Sequence, residues 1–192
     1  MELRQGVGHE SPWNPALLAV LLACLLSLLL FLPLAAGADQ ELRVALRRID
    51  AEGVHASLGS LSLRDSPEGL VILPDLQDLP PGEHGFHLHA LGDCGPGDAE
   101  EGPVAGLSAG GHWDPDGSGH HLGPDGNGHR GDLSRLVVAA DGSARLPVRA
   151  PRLRVGDLAG KALIVHAGGD TYSDTPPLGG GGARIACAVV PG

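Results

Sequence analysis

The chain has 192 residues, a formal net charge of −10 and a hydrophobic fraction of 42%, which suits one domain with its own core plus a short appended segment. The acidic balance excludes nonspecific nucleic-acid binding, which needs clustered Lys and Arg, and the lone lysine, Lys161, excludes a polybasic membrane patch. Aromatics make up only 3%, yet aliphatic residues are plentiful and 13 of the 31 glycines fall between Gly92 and Gly131; an aliphatic framework carrying glycine-rich loops follows, not a disordered chain.

No charged residue occurs between Glu10 and Asp39, and Ala16 to Ala36 is apolar except for Ser27 and Pro33. That stretch matches the roughly 20 residues that a membrane-spanning helix needs. It ends in Ala36-Gly37-Ala38 followed by Asp39, a signal-peptidase pattern. Residues 1–38 are therefore predicted to be a cleaved signal peptide or an uncleaved N-terminal anchor, and either one exports residues 39–192 to the periplasm or another extracytoplasmic space. Contact with a membrane is expected only if the anchor is retained. Cys24 lies in the apolar segment, which leaves Cys94 and Cys187 as one possible pair in the mature chain. In an oxidising compartment such a pair reads most simply as a disulfide; two separate buried thiols are the other reading.

From Glu41 onward, apolar runs alternate with turn residues. Leu42 to Leu46, Ser57 to Leu63 and Gly69 to Leu76 show strand-like patterning, followed by Leu133 to Ala139, Ala144 to Arg149, Ala162 to Val165 and Arg184 to Val190. Glu52-Gly53, Ser66-Pro67-Glu68-Gly69, Pro80-Pro81-Gly82 and Asp141-Gly142 are turn signals. Asp141-Gly142 between two apolar runs predicts a hairpin. No stretch after residue 40 has helical periodicity over a helix length, so the expected class is all-β, an antiparallel sandwich or barrel.

Within this framework, Gly85-Phe86-His87-Leu88-His89 places two histidines two residues apart on a strand, on the face opposite Phe86 and Leu88. His112 follows Ala109-Gly110-Gly111. His121 and then His129-Arg130-Gly131-Asp132 add two imidazoles and a carboxylate in a glycine-rich loop, and His166 closes the apolar run from Ala162. Such nitrogen and oxygen donors suit Zn²⁺, and imidazoles also suit copper. A loop so rich in glycine has little reason to order itself without an ion or a disulfide.

The segments Gly85-Phe86-His87-Leu88-His89, Gly110-Gly111-His112, His121-Leu122-Gly123-Pro124 and Gly128-His129-Arg130-Gly131-Asp132-Leu133 resemble those of copper–zinc superoxide dismutases. Gly179-Gly180-Gly181-Gly182-Ala183-Arg184-Ile185-Ala186-Cys187 is similar to the bacterial exported branch, and the resemblance runs colinearly from about residue 41 to 190. It implies a flattened eight-stranded antiparallel Greek-key barrel with long metal-binding and disulfide loops. It implies one copper held by His87, His89, His112 and His166, and one zinc held by His112, His121, His129 and Asp132, with His112 shared. It also implies that Asp170 joins His87 to His121, that Cys94 pairs with Cys187, and that Arg184 guides the substrate, superoxide. His84 is implied as a structural hydrogen-bonder, and His120 as a solvated neighbour of His121. The implied reaction is superoxide disproportionation to O₂ and hydrogen peroxide, with copper as the electron carrier, and with His112 and Arg184 as its catalytic residues.

Neither the loop from Ala167 to Gly182 nor the disulfide loop carries a lysine. Steering of an anion therefore falls to Arg184, the metals and Arg130. Other readings of the donor set are a non-enzymatic copper- or zinc-binding module of the same fold and a zinc hydrolase. The chain is expected to act as a monomer or a homodimer.

Overall fold

The computed structural model describes residues 41–192; the leader expected over 1–38, with His9 and Cys24, lies outside the described residues. Alternating apolar side chains build three long strands, β1 (Leu42–Asp50), β2 (Gly53–Ser66) and β3 (Gly69–Leu76). In β1, Val44, Leu46 and Ile49 turn inward while Arg43, Ala45 and Arg47 face solvent. The change of step between Leu46 and Ile49 coincides with a break in register against β2, where one strand carries an extra residue. Leu70, Ile72 and Leu76 alternate inward on β3.

Eight shorter strands follow: β4 (Gly82–His84), β5 (Phe86–His89), β6 (Gly97–Ala99), β7 (Gly102–Val104), β8 (Leu136–Val138), β9 (Val148–Ala150), β10 (Ala162–His166) and β11 (Arg184–Val189). Three short 3₁₀ turns complete the regular structure of the described residues. The described residues contain no α-helix, and none long and apolar enough to cross a membrane.

An antiparallel sheet runs β5-β10-β11-β1-β2-β3-β9, and β4 pairs with β8. Only Gly85 separates β4 from β5. Its amide donates to the Gly168 carbonyl at 2.8 Å, and its own carbonyl accepts from the His166 amide at 2.8 Å. With β4 and β5 taken as one interrupted strand, and the small β6–β7 hairpin set aside as part of a loop, the fold has the eight strands expected. The Ser134 amide donates to the Arg149 carbonyl at 3.2 Å, which brings the segment before β8 against β9 as the sheet curls round. The connections from β3 to β4 and from β9 to β10 join strands that are not neighbours and give the Greek-key path.

Asp141-Gly142 makes a tight local turn, with Gly142 at φ 80° and the Ala139 amide donating to the Ser143 carbonyl. It does not make the expected two-stranded hairpin, because its arms diverge to opposite partners: β8 pairs with β4, and β9 with β3. β4 also lies where the chain reads only as a turn; three residues are too few to show alternation.

The interior is aliphatic. Leu46, Leu61, Leu63, Ile72, Leu88, Leu136 and Leu163 are completely buried with Phe86, and each such side chain contributes about 1.5–3 kcal/mol relative to exposure. On β5 the core takes Phe86 and Leu88, so His87 and His89 project from the sheet's other face.

Candidate metal centre

Three buried histidines come from the sheet itself. His87 and His89 lie on β5, and His166 ends β10, which pairs directly with β5. His112 joins them through a single β-bridge to His89. One ring nitrogen from each of these four residues lies within 4.8 Å of the others.

The outer nitrogens of the three strand histidines are all occupied. His87 Nε2 meets Asp170 Oδ2 at 2.8 Å, His89 Nδ1 meets the Gly110 carbonyl at 2.8 Å, and His166 Nδ1 meets the Gly182 carbonyl at 3.0 Å. Each acceptor draws the ring proton to its own side and leaves a lone pair on the other nitrogen. Those nitrogens, His87 Nδ1, His89 Nε2 and His166 Nε2, are buried without a hydrogen-bond partner among the described residues. Burial pushes the three imidazoles down to about 3, 2 and 4 respectively, aided by neighbouring histidines. Neutral rings with converging, unpartnered lone pairs form a ligand set suited to a cation.

The second group grows from the loop between His120 and Asp132. Asp132 Oδ1 lies 3.0 Å from His112 Nδ1, 3.0 Å from His121 Nδ1 and 3.3 Å from His129 Nδ1. His112 therefore belongs to both groups: Nδ1 is turned to Asp132, and Nε2 is left for the strand histidines. Burial alone would raise the Asp132 carboxyl, but hydrogen bonds from His112 and His121 hold it well below the usual carboxylate range. For His121, burial acts downward, yet the hydrogen bonds to Asp132 and Asp170 prevail and raise it to about 9.

Asp170 couples the two groups, since its other oxygen meets His121 Nε2 at 2.8 Å. Gly179 covers this bridge from outside. A Cβ there would come within 2.2 Å of Asp170 Oδ1 and 2.7 Å of His121 Nε2, and its φ of 72° is itself a glycine conformation.

Cys94 and Cys187 form a disulfide with Cα atoms 5.8 Å apart. It secures the loop in which the Ser108 amide donates to the Gly95 carbonyl at 3.2 Å. Carbonyls from the same loop position Arg184: its guanidinium donates to Gly106 and, at 2.8 Å, to Gly110. Half-buried, Arg184 lines an open cavity of about 270 Å³ together with His89, His112, His166, Pro177 and Leu178. His84, by contrast, stands outside both groups, with its ring nitrogens against the carbonyls of His166 and Pro80.

Several partners were not singled out from the chain. His120 is exposed but not free: its Nδ1 meets Asp174 Oδ2 at 2.9 Å, while Asp174 Oδ1 accepts from the His121 amide at 2.8 Å. Tyr172 accepts from the Arg135 amide through its hydroxyl at 3.0 Å, and its own amide donates to Asp170. The only sequence signal for Asp174 is its place as the second carboxylate in a loop whose first is Asp170. Arg130, expected to help steer an anion, is held by Asp116 through two hydrogen bonds of 2.7 and 3.0 Å, which offset its charge locally.

The fold and site define a β-barrel protein with two adjoining metal-ligand groups sharing one histidine. Residues 58–190 match the model of the copper/zinc superoxide dismutase family. The chain is 48% identical over 165 residues to the Cu-Zn superoxide dismutase of Escherichia coli strain K12, covering 84% of this chain and 95% of that protein. It superposes on the Cu/Zn superoxide dismutase of Brucella abortus with a TM-score of 0.77 and 43% identity, covering 79% of this chain and 99% of the other. A superoxide-dismutase-like protein from Bacillus subtilis shares the fold at a TM-score of 0.60 and 33% identity, over 77% of this chain and 96% of that one. The chain belongs to the copper/zinc superoxide dismutase family.

Proposed function

We propose that this chain disproportionates superoxide: two superoxide anions and two protons become one O₂ and one hydrogen peroxide. His87, His89, His112 and His166 would hold copper, and His112, His121, His129 and Asp132 would hold zinc. Four imidazoles suit copper, and three imidazoles with one carboxylate suit zinc. When bound, copper supplies one-electron chemistry, whereas zinc, which has no redox chemistry, supplies fixed charge and structure.

The chain's own groups do the rest. Arg184 is a cation at the cavity mouth, able to attract and hydrogen-bond a small anion. His112 Nε2 faces the copper set and is the atom at which the chain can hold a proton for the departing peroxide. With zinc held at His112 Nδ1 beside Asp132, Nε2 would be the ring nitrogen left to carry that proton. The observation that carries this reading is the convergence of three buried, unpartnered ring nitrogens, two of them on His89 and His166, which line the same open cavity as Arg184.

A fold shared with a superoxide-dismutase-like protein does not by itself fix an activity. What favours the enzyme over a metal-binding module is that all four imidazoles and Arg184 are present together. Protein loaded with copper and zinc should suppress superoxide-driven dye reduction, and metal-free protein should not. Equal dye reduction with and without loaded protein would leave only the binding module.

The proposal extends to location and assembly. Residues 1–38 would act as a signal peptide or anchor that exports the domain 39–192, and the disulfide supports an oxidising destination. All donors and Arg184 come from one chain, so a monomer suffices chemically and a homodimer is not required.

A further inference from the structure

Arg152 follows the edge strand β9 and turns its guanidinium toward the loop that carries His121 and His129. Nε donates to the Pro124 carbonyl at 3.2 Å and one terminal nitrogen to the Gly128 carbonyl at 2.8 Å. The other terminal nitrogen donates to the carbonyls of Gly123, at 3.4 Å, and of His129. These four residues are buried, and among the described residues Arg152 forms no ion pair. Gly123 and Pro124 follow His121; Gly128 and His129 complete the other arm of the same loop. One cation thus gathers both arms by their backbone, where no helix or strand would otherwise satisfy those carbonyls.

We propose that Arg152 is a positioning residue for zinc: it sets the separation of His121 and His129 through the carbonyls between them, so that three nitrogens and Asp132 meet without help from the ion. The inference rests on the ligand assignment given above. Only a guanidinium has donors enough, in a fixed planar fork, for four acceptors on two chain segments. A lysine would keep the charge and lose the geometry. Arg152 touches neither ion nor substrate, and its effect reaches zinc only through the loop.

The test compares zinc loss from the copper- and zinc-loaded protein to an excess of chelator in the parent, Arg152→Gln, Arg152→Lys, Asp132→Ala and Arg149→Gln. Arg149 is an exposed arginine on β9 and controls for loss of a positive charge. Outer partners of metal ligands typically govern 10–100-fold in affinity. Arg152→Gln should therefore release zinc roughly 10–100-fold faster, Arg152→Lys should fall between it and the parent, and Arg149→Gln should match the parent. With cobalt in place of zinc, the visible band should shift in Arg152→Gln, while the copper band stays unchanged.

Parental zinc release and a parental cobalt band in Arg152→Gln, with zinc lost from Asp132→Ala, would overturn the proposal alone. Zinc retained by Asp132→Ala would instead overturn the ligand assignment beneath it. If Arg152→Gln does not fold, Arg152→Lys decides, since it keeps the charge and removes the fork; parental release there overturns the proposal. Faster release accompanied by equally faster exchange of the amides in β1 and β2 would show general unfolding and overturn it as well.

Discussion

The two halves of the metal centre are built in opposite ways. The half proposed to hold copper hangs on paired strands, β5 and β10, where the ladder fixes the backbone and the aliphatic core behind Phe86 and Leu88 fixes the face. The half proposed to hold zinc is a glycine-rich loop without strand or helix, and its order comes from Asp132, the Asp174 contact and the carbonyls gathered by Arg152. Strand-borne donors stay in place because moving them would cost sheet pairing and core packing. Loop-borne donors stay in place because polar contacts converge on them. The first half should therefore be insensitive to changes in single polar contacts, while the second should depend on its few tethers.

The largest effect should come from breaking the strand half. His89→Ala removes one of the three unpartnered nitrogens without touching the core, so superoxide decay should fall to that of metal-free controls. Zinc content should persist, and the melting temperature should shift little beyond the loss of copper. Zinc lost in parallel would show that the halves are not separable. Asp132→Ala attacks the loop half, whose three imidazoles all meet at this carboxylate. Zinc occupancy and thermal stability should fall while some copper-dependent activity survives, as judged by elemental analysis and calorimetry. Unchanged zinc content would remove Asp132 from the ligand set.

The same division decides what was legible in the chain. His87 and His89 could be placed from a period of two, because strand geometry dictates which side chains share a face. His112, His121, His129 and Asp132 are recognisable as donors, but their meeting point follows from loop closure that no periodicity encodes; their grouping came from family resemblance. Arg152 gave no signal at all, because it lies 20 residues beyond Asp132 and acts on carbonyls, which every residue possesses. The hairpin expected at Asp141-Gly142 shows the same limit in the fold: local chemistry set the turn, while the sheet edges chose the partners of β8 and β9.

A smaller effect sharpens the link between the halves. Gly179→Ala places a methyl against the Asp170–His121 bridge at a positive φ. Asp170 should be pushed from its position, lowering zinc affinity by roughly tenfold, at the low end for such outer partners. His87, held by the other oxygen of Asp170, should register the same change as a shifted copper spectrum. A perturbed zinc site beside an unperturbed copper spectrum would show that Asp170 does not transmit between them.

The last effect concerns neither half but the approach to both. The protein is strongly acidic, and superoxide is an anion, so the long-range field opposes capture while the local field can favour it. Among the described residues, no carboxylate lines the cavity, and Arg184 is the one charged side chain that does. With Arg130 occupied by Asp116, Arg184 must supply most of the attraction that the protein offers. Arg184→Ile should therefore lower kcat/KM by roughly tenfold, near the bottom of the range for electrostatic steering, with copper content and fold intact. Fields of exposed charges are screened over about 8–10 Å at physiological salt. If the mouth dominates, added salt should slow the parent protein and affect the variant less. If the acidic surface dominates, salt should accelerate both by removing repulsion. The lining favours slowing. Stopped-flow superoxide decay across a salt series separates these outcomes, and equal rates for parent and variant at every salt concentration would show that Arg184 is not the guide.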